Sequence, residues 1–421
     1  MKFNKWTVGL AAGGVVSLAS VIQADEAQKP MSQLQTAVSS TVLSGFVDTS
    51  IIWKPGTGDA NLPGRAFDGV GKLDGFNLNL VDVTLEKPLS EDQWAAGYRV
   101  DLLFGPDAVG YNVSVGNNGI LSNNSDFGIR QAYVSLRVPA GNGIDFKVGT
   151  FTEILGYEDL FSYANPNYSR SFGWQLEPTQ QTGVLASYKA TDAVSFSAGI
   201  ANTWNAGINA RALRFGGTAK ESEKTYMASI TITAPESWGF LSGSAWYAGI
   251  IDGLAGGSKD TTSAYVAGSL KTPVEGLSVG AAFDYRWNGA SASGVAFQPL
   301  SSWAYAIAGY ASIQANEKWK FSIRGDYTEG SDGTFYDRSP LTPAGINLGP
   351  DGVKNRDNRL GAVTLTTDYA LWANVVSRAE LRWDHSMSGD KPYGGTPGTP
   401  ASALPNQRNA VTLALNLIYK F

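Results

Sequence analysis

Residues 378–384 read Arg378-Ala379-Glu380-Leu381-Arg382-Trp383-Asp384, charged and apolar side chains in strict alternation. Successive side chains of a strand point to opposite faces. One face therefore holds Arg378, Glu380, Arg382 and Asp384, and the other Ala379, Leu381 and Trp383. Turned towards lipid, each arginine near the midplane would cost about 2–4 kcal/mol. The charged face must line an interior, and that interior must be wet. The same division recurs in Lys320, Ser322, Arg324 and Asp326 against Trp319, Phe321, Ile323 and Tyr327. It recurs again in Asp284 and Arg286 against Phe283, Tyr285 and Trp287, and in Arg99 and Asp101 against Tyr98, Val100 and Leu102. The final segment sets Val411, Leu413, Leu415, Leu417, Tyr419 and Phe421 on one face. Two stretches depart from the pattern. Residues 76–85 switch register between Leu80 and Val81, which predicts a bulge, and residues 240–249 are mostly small, for which alternation offers no reason.

Outward from that stretch, period-two alternation rather than helical spacing fills the chain from residue 41 to its end. It predicts about sixteen strands, near 41–53, 75–86, 94–103, 129–138, 143–151, 180–190, 193–204, 225–234, 239–250, 261–272, 277–288, 302–314, 318–329, 358–369, 373–386 and 409–421. The connections alternate in length. Residues 54–74, 104–128, 152–179 and 205–224 are long and rich in Gly, Asn, Asp and Pro, whereas 87–93, 139–142, 191–192 and 235–238 are short. Pro139-Ala140-Gly141-Asn142 and Ala234-Pro235-Glu236-Ser237 are turn chemistry. The fold expected is all-β: a transmembrane antiparallel up-and-down β-barrel with short periplasmic turns, long extracellular loops and both termini at the short-turn end. Trp53, Trp94, Trp204, Trp238, Trp287, Trp303, Trp319, Trp372 and Trp383 fall near strand ends, where interfacial girdles sit, leaving Trp174 and Trp246 elsewhere.

Composition bears on function by exclusion. The 421 residues include no Cys and one His, His385, which removes disulfides, zinc fingers, iron–sulfur clusters and thiol nucleophiles. Almost nothing is left for a histidine metal site or a catalytic triad, and no cofactor is expected. Only 16% of residues are charged and 49 are Gly, against about a quarter and about 7% in average proteins. That pairing fits strands with one face in lipid. Residues 1–24, with Lys2 and Lys5, an apolar run over 6–22 and Ala24 before Asp25, read as a signal peptide. Its removal takes the formal charge from −5 to −7, and no later segment offers the run of about 18 apolar residues that a helical span needs. An acidic chain without a basic face is not expected to bind nucleic acid. Residues 25–40 read as a short periplasmic segment and 41–421 as the barrel.

Four segments form a more specific block over residues 128–190: Arg130-Gln131-Ala132-Tyr133-Val134, Asp145-Phe146-Lys147-Val148-Gly149, Asn165-Pro166-Asn167-Tyr168-Ser169-Arg170-Ser171 and Thr182-Gly183-Val184. In these the sequence resembles the putative β-barrel porin-2 (OmpL-like) family of Gram-negative outer-membrane proteins, and more broadly the sixteen-stranded porins. The closing Ile418-Tyr419-Lys420-Phe421 resembles the C-terminal aromatic signal, ending in Phe421, that the barrel-assembly machinery reads. The resemblance implies a porin of the outer membrane, exported by the Sec pathway and surrounded by outer-membrane lipid. It also implies that the third long loop, residues 152–179, folds inward and narrows the pore. Homotrimers are common among such porins, though no patch in this sequence compels one.

A barrel this wide is not filled by its side chains, so an aqueous channel for passive diffusion of small hydrophilic solutes and ions is the expected function. Its expected lining is Arg99, Asp101, Lys147, Asp284, Arg286, Arg324, Asp326, Arg378, Glu380, Arg382 and Asp384. Loop 152–179 adds Glu153, Glu158, Asp159, Arg170 and Glu177, with Tyr157, Phe161, Tyr163, Tyr168, Phe172 and Trp174. Loop carboxylates facing wall cations such as Arg99, Lys147, Arg324, Arg378 and Arg382 would set a transverse field that filters by charge and size. The loop aromatics offer an alternative, stacking on sugar rings in a channel specific for saccharides or other small polar metabolites. A plugged barrel serving adhesion or structure is a third reading. An enzyme such as an outer-membrane phospholipase would need a nucleophile with a base in reach. His385 and Ser386 are neighbours on a strand and point to opposite faces, so no enzyme is expected. Asp332-Gly333, Asp337, Asp351-Gly352 and Asp357 do not match an EF-hand and read as turns, and Gly71-Lys72 is no P-loop because the first Gly of that motif would fall on Ala66.

Overall fold

Alternation with one polar face leaves every strand with backbone groups to satisfy, and the chain satisfies them by pairing each strand with its neighbours in sequence, always antiparallel. In chain order the strands are β1 Val42–Trp53, β2 Gly75–Lys87, β3 Ala96–Phe104, β4 Phe127–Val138, β5 Ile144–Thr152, β6 Gln180–Lys189, β7 Val194–Ala201 and β8 Thr225–Thr233. They continue as β9 Ala245–Leu254, β10 Asp260–Lys271, β11 Leu277–Asn288, β12 Ser302–Gln314, β13 Trp319–Gly330, β14 Asn358–Tyr369, β15 Val375–Ser386 and β16 Asn409–Lys420. β16 then pairs with β1, Leu413 opposite Trp53 and Lys420 opposite Phe46, which closes the barrel. Phe421 adds the last link, exchanging backbone hydrogen bonds with Gly45 at 2.9 and 3.0 Å. This computed structural model describes residues 34–35, 40–56, 59–65, 67, 72–111, 127–205, 208–214, 218–219, 222–254, 260–289, 302–336, 357–396 and 404–421. The expected signal peptide, most of the segment 25–40, and Ala66, Gly71, Asp337 and Asp351-Gly352 lie outside them.

One strand differs from expectation. β9 was expected over 239–250 and runs over Ala245–Leu254. Glu236–Leu241 instead forms a 3-10 turn, in which Gly239 takes φ 63° and ψ −128°, a conformation no strand passes through. The sorting of connections by length fails here, since 234–244 is the longest on its end and 255–259 the shortest on the other. Trp246 becomes a strand-end residue with its ring 6.1 Å from that of Trp238. Trp204 moves the other way: it is buried inside the barrel, its indole N–H donating to Ser263 Oγ at 3.2 Å.

Outward faces carry Ile51, Leu78, Val266, Ile307, Ile323, Leu365, Leu381, Leu415 and Leu417, all exposed, with Trp53, Trp94, Trp238, Trp319, Trp372 and Tyr419 nearer the ends. Exposed apolar surface of this extent belongs against hydrocarbon. The ladder slips twice. Asp48 faces Leu80 and Thr49 faces Leu78, so Asn79 is an extra residue in β2, next to the expected switch point. Asp101 faces Gln131 and Leu102 faces Ile129, so Arg130 is an extra residue in β4. Each bulge leaves one residue unpaired in the ladder and re-aims its side chain, and both Asn79 and Arg130 are buried in the interior.

Candidate functional site: the lumen and its inward loop

A loop that leaves the wall and crosses a barrel carries backbone N–H and C=O groups with no ladder to pair with. Loop 153–179, between β5 and β6, does cross the lumen, with short 3-10 turns at Ser162–Ala164 and Gly173–Gln175, and it is almost wholly buried. Charged side chains of β13–β15 supply what the backbone lacks. Glu380 accepts the N–H groups of Tyr168 and Ser169 at 2.6 and 2.9 Å. Arg378 donates to the carbonyls of Ser162 and Asn165, both at 2.9 Å, while two further N–H groups grip Asp368 at 2.6 and 3.1 Å. Arg382 donates to the carbonyl of Arg170 and to Asp384. Arg324 meets Glu158 at 2.8 Å, Asp326 at 3.0 Å and the carbonyl of Ser169 at 2.7 Å. Asp326 in turn accepts the N–H of Phe172 at 3.2 Å.

The expected lining residues thus sort into groups. Arg324, Asp326, Arg378, Glu380, Arg382 and Asp384 all point inward and are buried beneath the loop. Of the wall cations expected to oppose loop carboxylates, Arg324 does so, through Glu158. Arg378 and Arg382 meet loop carbonyls instead. Arg99 is paired on its own wall with Glu86 at 3.2 Å and Asp101 at 2.8 Å, and Asp101 also accepts from Gln131 at 2.7 Å. Lys147 stands 4.8 Å from the centre of the Tyr133 ring, and Arg286 4.1 Å from that of Trp204. Within the loop, Arg170 lies 4.0 Å over the Phe67 ring and donates to the carbonyls of Tyr168 and Leu160 at 2.5 and 2.6 Å. Burial pushes the Glu153 carboxyl up to about 8. Glu177 is raised well above the carboxylate range by burial and by Asp284, to which it is hydrogen-bonded.

Several contributors are not in the expected set. Both bulge residues touch the loop: Arg130 pairs with Asp159 at 2.8 Å, and Asn79 accepts from the Tyr168 hydroxyl at 3.3 Å while donating to Asp48 at 2.8 Å. The first extracellular loop also enters, bringing Arg65 to Asp384 at 3.2 Å and Lys72 to Asp107 at 2.8 Å. Phe67 lies between Lys72 and Arg170. The only sequence signal for these was a register break at Leu80; Arg65 and Phe67 sit in a loop where no periodicity points anywhere.

Gly249, in the stretch of small residues at 240–249, and Gly280 of β11 have a reason in the loop. On that side the loop presents Leu155 and Tyr157, and a methyl group placed on Gly249 or Gly280 would collide with the Leu155 side chain or the Tyr157 hydroxyl respectively. Tyr157 stacks on Tyr310 with centroids 4.1 Å apart. On the other side Phe161 packs edge-on to Phe46 at 4.8 Å and Tyr168 to Phe67 at 5.9 Å. His385 points outward beside Trp383, bonding Asn409 at 2.8 Å, while buried Ser386 points inward. On the periplasmic side of the loop the barrel keeps a cavity of about 1180 Å³, walled by the inner ends of β10–β16.

A closed antiparallel barrel with an apolar outer belt, and a loop seated in a charged lumen, is an outer-membrane channel of the porin type. The family described as "Putative beta-barrel porin-2, OmpL-like" matches residues 40–421, and the chain belongs to it. Among solved structures it is similar to the outer membrane channel DcaP of Acinetobacter baumannii, with 13% identity, a TM-score of 0.56, and 93% of this chain and 100% of that one covered. It is similar also to an anion-selective porin from Comamonas acidovorans, with 11% identity, a TM-score of 0.55, and coverages of 91% and 99%. OmpT of Vibrio cholerae follows, with 12% identity, a TM-score of 0.51, and coverages of 93% and 100%. At such identities the likeness is one of fold. No curated protein sequence matches the chain.

Proposed function

We propose that the protein is a passive diffusion channel for small hydrophilic solutes whose bore is set by loop 153–179. The observation that carries this reading is the seating of that loop on β13–β15 through buried charge-to-backbone hydrogen bonds, above all those of Glu380. Charge-assisted bonds of this kind are the strong ones, and they hold the obstruction at one height in the lumen. The pairs Arg324–Glu158 and Arg130–Asp159 support a filter by charge as well as size. The aromatic side chains of the loop pack against the wall and one another, which favours anchoring over a sugar track. Residues 1–24 serve export through the Sec pathway, and Phe421, closing the ladder against Gly45, serves recognition by the assembly machinery. A homotrimer in outer-membrane lipid agrees with the trimer form described for OmpT of Vibrio cholerae.

The test is a planar-bilayer recording of wild type beside Glu380→Ala. The variant loses two acceptors under the loop, and its single-channel conductance should rise, with larger neutral polymers admitted. Equal conductance and equal polymer cut-off would sink the assignment of the bore to this loop.

A further inference from the structure

An arginine is seldom taken out of water unless a carboxylate goes with it. Inside this barrel Arg99, Arg130, Arg324, Arg378 and Arg382 keep to that rule, each meeting a carboxylate at 2.6–2.8 Å. Arg286 breaks it. It points inward from β11, half-buried, two residues nearer the extracellular end than Asp284, and among the described residues no carboxylate pairs with it. It is nevertheless held in place. Its guanidinium stands 4.1 Å from the centre of the Trp204 ring, and its Nε–H donates to Asn288 Oδ1 at 3.2 Å. Asn288 is fixed in turn, donating to Ser302 Oγ at 2.9 Å and accepting from Thr261 Oγ1 at 3.1 Å. Trp204 is fixed as firmly. Its backbone N–H donates to the Leu254 carbonyl at 3.0 Å, its carbonyl accepts from Gln181 Nε2 at 3.1 Å, and its indole N–H is taken by Ser263. Both terminal nitrogens of Arg286 are left without an acceptor among the described residues. Ser263 stands opposite Arg286 in the ladder, on the same inward face and within reach of a shared ligand. It is buried and accepts the Trp204 N–H, so its own hydroxyl proton is still there to donate. The carboxyl below, Asp284, is hydrogen-bonded to Glu177 of the loop, a contact that needs a proton on one of the two.

A fixed planar guanidinium matches the paired oxygens of a carboxylate or phosphate and makes charge-assisted bonds to them. The indole behind it holds the plane in place. We propose that Arg286, held by Trp204 and Asn288 and assisted by the Ser263 hydroxyl, is a solute-binding site on the extracellular side of loop 153–179, taking the carboxylate or phosphate group of a small anionic solute. The inference rests on the channel reading above and gives that channel a preferred class of solute. The site is half-open rather than sealed, so a bound anion can leave again, as conduction requires.

The experiment compares the full-length wild type with Arg286→Gln and Arg286→Lys, each checked for the heat-modifiable band of a folded barrel. Lys391→Gln, in an extracellular loop, is the control. Calorimetric titration of the detergent-solubilised proteins with succinate and, separately, with inorganic phosphate reads the site itself. Wild type and control should bind at least one of the two anions, with binding weakened roughly tenfold or more in Arg286→Gln and less in Arg286→Lys. Succinate binding alone assigns a carboxylate solute, and phosphate binding alone a phosphorylated one. In a planar bilayer, current carried by the bound anion should saturate with its concentration in wild type and lose that saturation in Arg286→Gln, while the polymer cut-off stays the same. No binding to wild type, or equal binding to wild type and Arg286→Gln, would overturn the site while leaving the channel intact. A changed polymer cut-off with unchanged anion binding would overturn it too, assigning Arg286 to the seating of Trp204. A folded barrel that passes no current would overturn the channel reading, and calorimetry would still decide the site. Should Arg286→Gln not fold, Arg286→Lys carries both readouts, since it keeps the charge and loses the planar fork, and binding equal to wild type in it would overturn the site.

Discussion

Arg324 is the side chain on which most of the lumen turns. It is fully buried, yet it satisfies Glu158 of the loop, Asp326 of its own strand, and two loop carbonyls. Arg324→Ala would leave two buried carboxylates without their main partner, a change of about 3–5 kcal/mol. Limited proteolysis should then cut within residues 153–179, and Arg324→Lys should rescue only in part because an ammonium lacks the guanidinium fork. Glu153 gives the loop a pH dependence of definite sign. Its carboxyl moves from an ordinary 4.5 to about 8 when buried, so the seated loop binds more protons than the released one between those values. Seating therefore weakens as pH rises through that window and levels off above it. Protection factors of the loop amides, each taken against the intrinsic exchange rate at that pH, should be lower near pH 9 than near pH 6, and Glu153→Gln should remove most of the difference.

At the scale of elements, alternation made fifteen of the strands legible to within a few residues, because lipid outside and water inside enforce opposite chemistry on the two faces. β9 was misplaced because its inward Tyr247, Gly249 and Ile251 pack in the apolar cluster around the loop residues Leu155 and Tyr157 rather than meet water, so the polar signal is missing. The site was legible only in part for a related reason. Arg378, Arg382 and Glu380 announce an inward face, but whether that face meets solvent, carboxylates or backbone depends on a loop whose path has no period. The tight fit of that loop is testable on its small neighbours. Gly280→Val would drive the Tyr157 ring off Tyr310, and its expected result is a noisier, wider channel in single-channel recordings with the barrel still folded. The bulge in β2 has a similar logic. Deleting Asn79 would even the ladder opposite β1 and leave Phe76 and Leu78 facing lipid, since each keeps its partner on β1, but it would remove the side chain that bonds Asp48 and the Tyr168 hydroxyl and so loosen the loop.

For the molecule as a whole, the outer belt and inner wall are stabilised by different solvents, and one strand shows both. Leu381→Arg, on the lipid face of β15, should cost about 2–4 kcal/mol at mid-depth and lower the temperature at which the folded band is lost in detergent gels. Its neighbour Glu380→Gln keeps an acceptor for the loop and should cost less. The same strand also carries a consequence for the order in which the protein is made. Tyr168 and Ser169 find their acceptor 212 and 211 residues later in the chain, on its next-to-last strand. The obstruction cannot lock until the two halves of the barrel have come together. The seated loop is thus a record that the two halves have met: where they have not, residues 153–179 would be left without their acceptors.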